Sequence, residues 1–136
     1  MSKVIGIDYG KKRIGIAISD IDQKIAFPLK TVENNKPIQI LKEIIESEKV
    51  ISIVVGVPIN LDGSNTDATE MCFKFHLKLK KEFPKINHFV ADERLTSKLA
   101  KRFLNHSHKK KQRGNKKNVD KISASIILEN FLIGLN

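Results

Sequence analysis

The sequence predicts an α/β fold built on a mixed sheet, and three features carry that expectation. Two apolar runs, Val4-Ile5-Gly6-Ile7 and Ile14-Gly15-Ile16-Ala17-Ile18, flank a Gly10-Lys11-Lys12-Arg13 turn, the pattern of a hairpin. A third apolar run follows after a short connection, which makes three consecutive antiparallel strands. From Pro37 onward, helical apolar spacing alternates with short apolar runs, the order of an α/β sandwich.

Taken in order, residues 3–8 and 13–19 are the first two strands. Residues 24–32 form the third, and Pro28, which cannot donate to a ladder, sends that strand to a sheet edge. Pro37–Glu48 is a helix, with Pro37 suited to its first turn and Ile38, Leu41 and Ile45 on one face. Val50–Val57 is almost wholly apolar, as a strand covered on both faces should be. Residues 58–65 are a loop turning at Asp62-Gly63. A helix with the stripe Ala68, Cys72, Phe75 and Leu79 follows and ends before Pro84. Asn87–Ala91 is a short strand, and Thr96 can cap a helix that runs to Phe103. Residues 105–118 contain no apolar side chain and no periodicity, so a mobile basic loop is expected there. A last helix, roughly 118–133, carries Ile122, Ala124, Ile126, Ile127, Leu128 and Phe131. No repeat or linker divides the chain, so residues 1–136 read as one domain of five strands flanked by helices.

Lys and Arg number 25 against 15 Asp and Glu, a formal net charge of +10. Such a surplus favours polyanions as partners, through phosphate contacts and counterion release. No apolar stretch approaches the ~20 residues needed to span a membrane, and Asp8 and Lys11 interrupt the first apolar run. A single cysteine, Cys72, excludes an internal disulfide and a Cys-based metal cluster and suits a reducing compartment. The expectation is a soluble cytoplasmic protein.

Three acids stand out by context. Asp8 ends the first strand, Glu93 follows the fifth, and Asp120 opens the last helix in line with Ala124, Ile127 and Phe131. A carboxylate that faces a core is costly unless it is paired or bound to a cation. Helix capping is the other reading of Asp120, although capping leaves the apolar line beneath it unexplained. In open α/β sheets ligands gather beyond the carboxyl ends of the parallel strands, where Asp8 and Glu93 stand. With Asp120 on the same edge, the hard oxygen donors would select Mg²⁺ or Mn²⁺. Such ions can activate water and stabilise a leaving oxygen in phosphodiester cleavage.

Several motifs also resemble one family. They are Gly6-Ile7-Asp8-Tyr9-Gly10 with Lys12-Arg13-Ile14-Gly15, and Gly56-Val57-Pro58 with Asn60 and Asp62-Gly63-Ser64. Asp92-Glu93-Arg94-Leu95-Thr96-Ser97 and Val119-Asp120-Lys121 with Ala124 complete the set. In family order over nearly the whole chain, they are similar to the YqgF (RuvX) family of Holliday junction resolvases, also described as nucleases that mature the 5′ end of 16S rRNA. The resemblance implies an RNase H-like fold, divalent-metal nuclease activity, and catalytic, metal-holding acids at Asp8, Glu93 and Asp120. Thr66-Asp67-Ala68-Thr69 departs from the usual pattern of a Gly/Pro followed by a basic or amide residue.

The partner expected is nucleic acid, either precursor rRNA, with ribosomal particles as its setting, or branched DNA. Lys12 and Arg13 are placed to hold a scissile phosphate, or to sit in solvent as turn cations. Arg94 can bind phosphate or pair with an acid. Lys109, Lys110, Lys111, Arg113, Lys116 and Lys117 form the basic loop, whose readings are nucleic-acid contact or a solvated linker. Junction resolution would favour a two-fold dimer and rRNA trimming needs only a monomer, so a monomer or weak homodimer is expected. Two other functions compete with a nuclease: a non-catalytic rRNA-binding assembly factor, and an ATPase using the first hairpin to hold phosphates. The second would need a further domain and has no Walker-type loop to support it.

Overall fold

Strand parity sorts the sheet residues onto two faces, and each face meets different helices. The computed structural model describes residues 2–60, 62–93 and 116–135, with the backbone alone at 116–118. Its elements are β1 (Lys3–Tyr9), β2 (Arg13–Ser19), β3 (Ala26–Glu33), α1 (Pro37–Glu48), β4 (Val50–Val57), α2 (Asp67–Glu82), β5 (Asn87–Asp92) and α3 (Lys116–Leu135). They form one five-stranded sheet in the order β3-β2-β1-β4-β5. The first three strands pair antiparallel, while β1, β4 and β5 run parallel.

On one face Ile5, Ile7, Ile14, Ile16, Ile53 and Val55 meet Leu41 and Ile44 of α1 and Cys72, Phe75 and Leu79 of α2. On the other, Val4, Ala17 and Val54 meet Ala124, Leu128 and Leu132 of α3. The second face is lined by small residues, so α3 lies almost on the strands. A Cβ on Gly6 would fall 2.7 Å from Leu128 Cβ, and one on Gly15 would fall 2.1 Å from the Asp120 carbonyl oxygen. Glycine in these strand interiors marks the close approach of a second backbone.

Most element boundaries match the sequence expectation, and the differences have local causes. β3 is an edge strand as Pro28 requires, with a register shift where Ala17 pairs with Pro28. It begins at Ala26 rather than residue 24, because Asp20 Oδ1 accepts the Lys24 and Ile25 amides at 2.8 Å each and holds them in a turn. The inner face of α1 centres on Leu41 and Ile44, with Ile38 and Ile45 only partly buried. In α2 the buried stripe starts at Thr69, and Ala68 is exposed. Thr69 is drawn inward by a reciprocal cap with Thr66, and its hydroxyl donates to the Pro58 carbonyl. The last helix starts at Lys116, so residues 116–118 of the expected basic loop are helical, in keeping with the good helix propensity of Lys. The rest of that loop and the expected 96–103 helix lie outside the described residues.

Candidate active site

The end of β1 brings three acids to one side of the sheet. Asp8 follows Val4 and Gly6 in parity and therefore faces α3, directly across the ladder from Gly15 of β2. Gly15 in turn touches the backbone of Asp120, which does not open the last helix as expected but stands in its second turn, so one missing side chain seats that turn of α3 beside Asp8. The other neighbouring strand repeats the device. Gly56 lies just past the Ile7–Val55 pair, and a Cβ there would fall 2.5 Å from Glu93 Oε2 and 2.4 Å from Ile127 Cδ1. Glu93 holds its position through its own amide, which donates to the Val57 carbonyl at 3.2 Å. Two glycines thus vacate the room that Glu93 and the start of α3 fill on either side of Asp8.

The electrostatics follow from that crowding. Burial, then the negative charges of Glu93 and Asp120, push the Asp8 carboxyl up to about 8. Burial, then Asp92, raises Glu93 to about 7, and this side chain is among the few buried polar groups of the described residues. Two acids at one edge of the sheet are therefore shifted toward their protonated forms. The Cys72 thiol beneath them, buried and in the field of Glu93 and Asp8, is pushed up to about 12, which agrees with its expected place in the core.

Asp120 has a cation already. Arg13 Nε donates to Asp120 Oδ2 at 2.8 Å, and both side chains keep about a quarter of their surface in water. This third role for Arg13, neither phosphate clamp nor free turn cation, was invisible to local reading. Strand glycines at 15 and 56, amid β-branched neighbours, were the signal that something packs closely there. Among the described residues no group of three or more His, Cys, Asp or Glu stands in metal-holding geometry. The donor set fits a hard divalent cation in chemistry, with all-oxygen acids that repel one another. Arg13 engages Asp120 Oδ2, so a cation that used this oxygen would compete with the guanidinium.

Lys12 is exposed at the hairpin turn, where its carbonyl accepts the Asn34 amide at 2.8 Å. Together Lys11, Lys12 and Arg13 line a depression of about 440 Å³ with Glu33 and Asn34. Lys116 and Lys117 open α3. Arg94, Lys109, Lys110, Lys111 and Arg113 lie outside the described residues. Asp62 is a turn acid, accepting the Ser64 amide and hydroxyl at 2.8 and 2.6 Å, with Gly63 at φ 91. Among the described residues no helix is long and apolar enough to cross a membrane.

A mixed sheet of this order, with carboxylates at the end of its first strand and a helix laid across them, is the architecture of an RNase H-like nuclease. Among solved structures, Thermus thermophilus RuvC in complex with a Holliday junction substrate aligns over 99% of this chain and 96% of its own, with TM-score 0.60. A second Thermus thermophilus RuvC structure aligns over 98% and 96% with TM-score 0.53. Identities of 11% and 13% make these likenesses of fold alone. The chain belongs to the RuvX family, described as Holliday junction resolvase, which matches residues 2–133. It is 42% identical over 133 residues to a protein of Amoebophilus asiaticus, covering 97% of this chain and 94% of that one. A Flavobacterium psychrophilum protein is 41% identical, covering 97% of each chain, and a Rickettsia felis protein is 44% identical, covering 95% and 84%. All three carry the name "Putative pre-16S rRNA nuclease". The chain is accordingly a nuclease, a hydrolase of phosphodiester bonds.

Proposed function

We propose that this nuclease trims the 5′ end of precursor 16S rRNA, using a Mg²⁺ or Mn²⁺ ion held by Asp8, Glu93 and Asp120. The observation that carries the site is geometric: Gly15 and Gly56, on the strands either side of Asp8, make room for the Asp120 backbone and the Glu93 carboxyl. The raised carboxyls of Asp8 and Glu93 agree with it. The names of the relatives support the substrate. When bound, a divalent ion supplies an activated water and takes up charge on the leaving oxygen.

The chain's own residues do the rest. Asp8 and Glu93 would hold the cation as carboxylates, so they serve it best where both are ionised. Arg13 holds Asp120 Oδ2 beside them and orients the third acid. Lys11 and Lys12 draw the polyanion to the hairpin, and Arg94 and the basic segment 109–117 extend that attraction. Action on rRNA needs only a monomer, a weak homodimer being compatible with it, and the free Cys72 suits the reducing cytoplasm.

The test incubates the protein with a 5′-extended 16S rRNA fragment and with a four-way DNA junction, in Mg²⁺ or Mn²⁺. The rRNA fragment should be cut at a defined position, and Asp8→Asn, Glu93→Gln and Asp120→Asn should each lose at least about 100-fold in rate, since a metal's charge stabilisation is worth several kcal/mol. Undiminished cleavage by the three variants overturns the site, and cleavage of the junction alone overturns the substrate.

A further inference from the structure

On the opposite side of the β1 tip from the acids, two depressions meet at Tyr9 and Met71. One, of about 310 Å³, reaches from Lys11 and Gly10 down to Cys72. The other, of about 210 Å³, runs on past Asn34 and Phe75 to Lys74 and Lys78 of α2. We propose that this groove binds a single-stranded stretch of polynucleotide, with Tyr9 as the platform for a base and Lys74 and Lys78 as phosphate contacts. The proposal deepens the nuclease reading by giving the substrate a path away from the scissile bond, and for that purpose it rests on that reading.

Tyr9 is held as a platform should be. Its ring stacks on Phe75 with centroids 4.3 Å apart and planes 28° apart, and it is only partly buried. Asn34 Nδ2 donates to the Gly10 carbonyl at 2.8 Å and so fixes the rim beside it. An unpaired base offers its face to such a ring, whereas a duplex keeps its base faces stacked inside.

Lys74 and Lys78 are exposed and one helical turn apart, in a row that begins at Glu70 and ends at Glu82, so two adjacent positive charges stand at the centre of this face of α2. Neither stands in an ion pair among the described residues; the depression they line with Tyr9 contains no acid, while the one beyond it sets Asp67 opposite Lys11. A phosphate backbone crossing this turn of α2 would answer both charges. The groove lies on the other face of the sheet from the acids and approaches them only at the tip of β1, where Tyr9 follows Asp8 in sequence.

The experiment measures anisotropy of labelled single-stranded RNA and DNA of about twelve nucleotides, and of the matching duplex, in EDTA so that no cleavage occurs. Lys74→Glu/Lys78→Glu should bind single strands roughly tenfold more weakly at fixed salt. Lys74→Ala/Lys78→Ala should lower the slope of log affinity against log salt by about 1.4, two contacts at about 0.7 each. Tyr9→Leu should weaken binding where Tyr9→Phe preserves it, with circular dichroism verifying the fold of each. Because the chain has one Tyr and no Trp, tyrosine emission reports Tyr9 alone, and it should be quenched by single strands more than by an abasic strand.

RNA and DNA arms of equal affinity support recognition through phosphate and base faces, as does an RNA preference. Wild-type affinity and salt slope in the Lys74→Glu/Lys78→Glu protein overturn the proposal, as does a duplex that binds as tightly and responds to the same substitutions. Hydrolysis of bis(p-nitrophenyl) phosphate separates the two readings, because it needs the acids and not the groove. Wild-type protein inactive with every divalent ion overturns the nuclease reading while the binding result stands. Active variants with intact binding overturn the groove alone.

Discussion

Arg13 Nε and Asp120 Oδ2 meet at 2.8 Å across 107 residues of sequence, tying the start of β2 to the second turn of α3. The pair keeps about a quarter of its surface in water, so its contribution to stability is about 1 kcal/mol or less. If Asp8, Glu93 and Asp120 hold a cation as proposed, the guanidinium competes with it for Asp120. Arg13→Gln should therefore shift the melting temperature by only a few degrees, while calorimetric titration shows Mn²⁺ binding severalfold tighter than in the wild type. Unchanged or weaker Mn²⁺ affinity would show that Arg13 does not compete for Asp120.

The raised carboxyls predict an unusual stability profile in EDTA. Asp8, at about 8 when folded against an ordinary 3.8, holds its proton in the folded state where the unfolded chain has lost it. Stability is therefore present at low pH and lost as pH climbs from about 4 through about 8, with Glu93 adding to the loss between about 4.5 and 7. Thermal melts from pH 5 to 8.5 should show a falling midpoint. Asp8→Asn should flatten the profile and exceed the wild type by on the order of 2 kcal/mol at pH 8. A profile that rises over this range would contradict the assignment.

Cation binding should run the other way. Ions enter against two held protons, so affinity should rise with pH up to about 8, and calorimetry in buffers of different ionisation enthalpy should register proton release. At a hundred times its dissociation constant the ion should stabilise the fold by about 2.7 kcal/mol. Metal binding that is independent of pH between 6 and 8 would place the ion away from Asp8 and Glu93.

Gly15 offers a steric test of how α3 is seated. An added Cβ would lie 2.1 Å from the Asp120 carbonyl oxygen, a backbone atom that cannot rotate aside. Gly15→Ala should cost about 1–3 kcal/mol by overpacking and reduce cleavage further than the stability loss explains, since Asp120 moves with the helix. Gly134→Ala near the end of the same helix meets nothing within 4 Å and should stabilise by up to about 1 kcal/mol. Denaturant melts and cleavage rates of the two variants check both statements.

The thiol of Cys72, buried and pushed up to about 12, should ignore Ellman's reagent in the native protein at pH 8 and react fully in guanidinium. Rapid native reaction would mean that the floor of the groove opens to solvent.

The strands and helices were legible because each rests on a local pattern. Isoleucine and valine runs, Pro28 at an edge and Pro37 at a helix start act within a few residues of themselves. Asp8, Glu93 and Asp120 were singled out for the same reason, each an acid at the boundary of an apolar element, and the charge surplus needed only counting. Where the reading slipped, a side chain had reached across a turn: Asp20 took two amides and delayed β3, and Thr69 displaced Ala68 from the buried stripe by bonding to Pro58.

The pairing of Arg13 with Asp120, the seats made by Gly15 and Gly56, and the reluctance of Asp8 and Glu93 to ionise belong to the assembled fold. Each depends on burial and on charges from distant parts of the chain, quantities that exist only once β1, β2, β4 and α3 have packed together. The amino-acid order supplied three acids and a basic chain; folding made neighbours of them, and with that set which acid holds a partner and which two hold their protons.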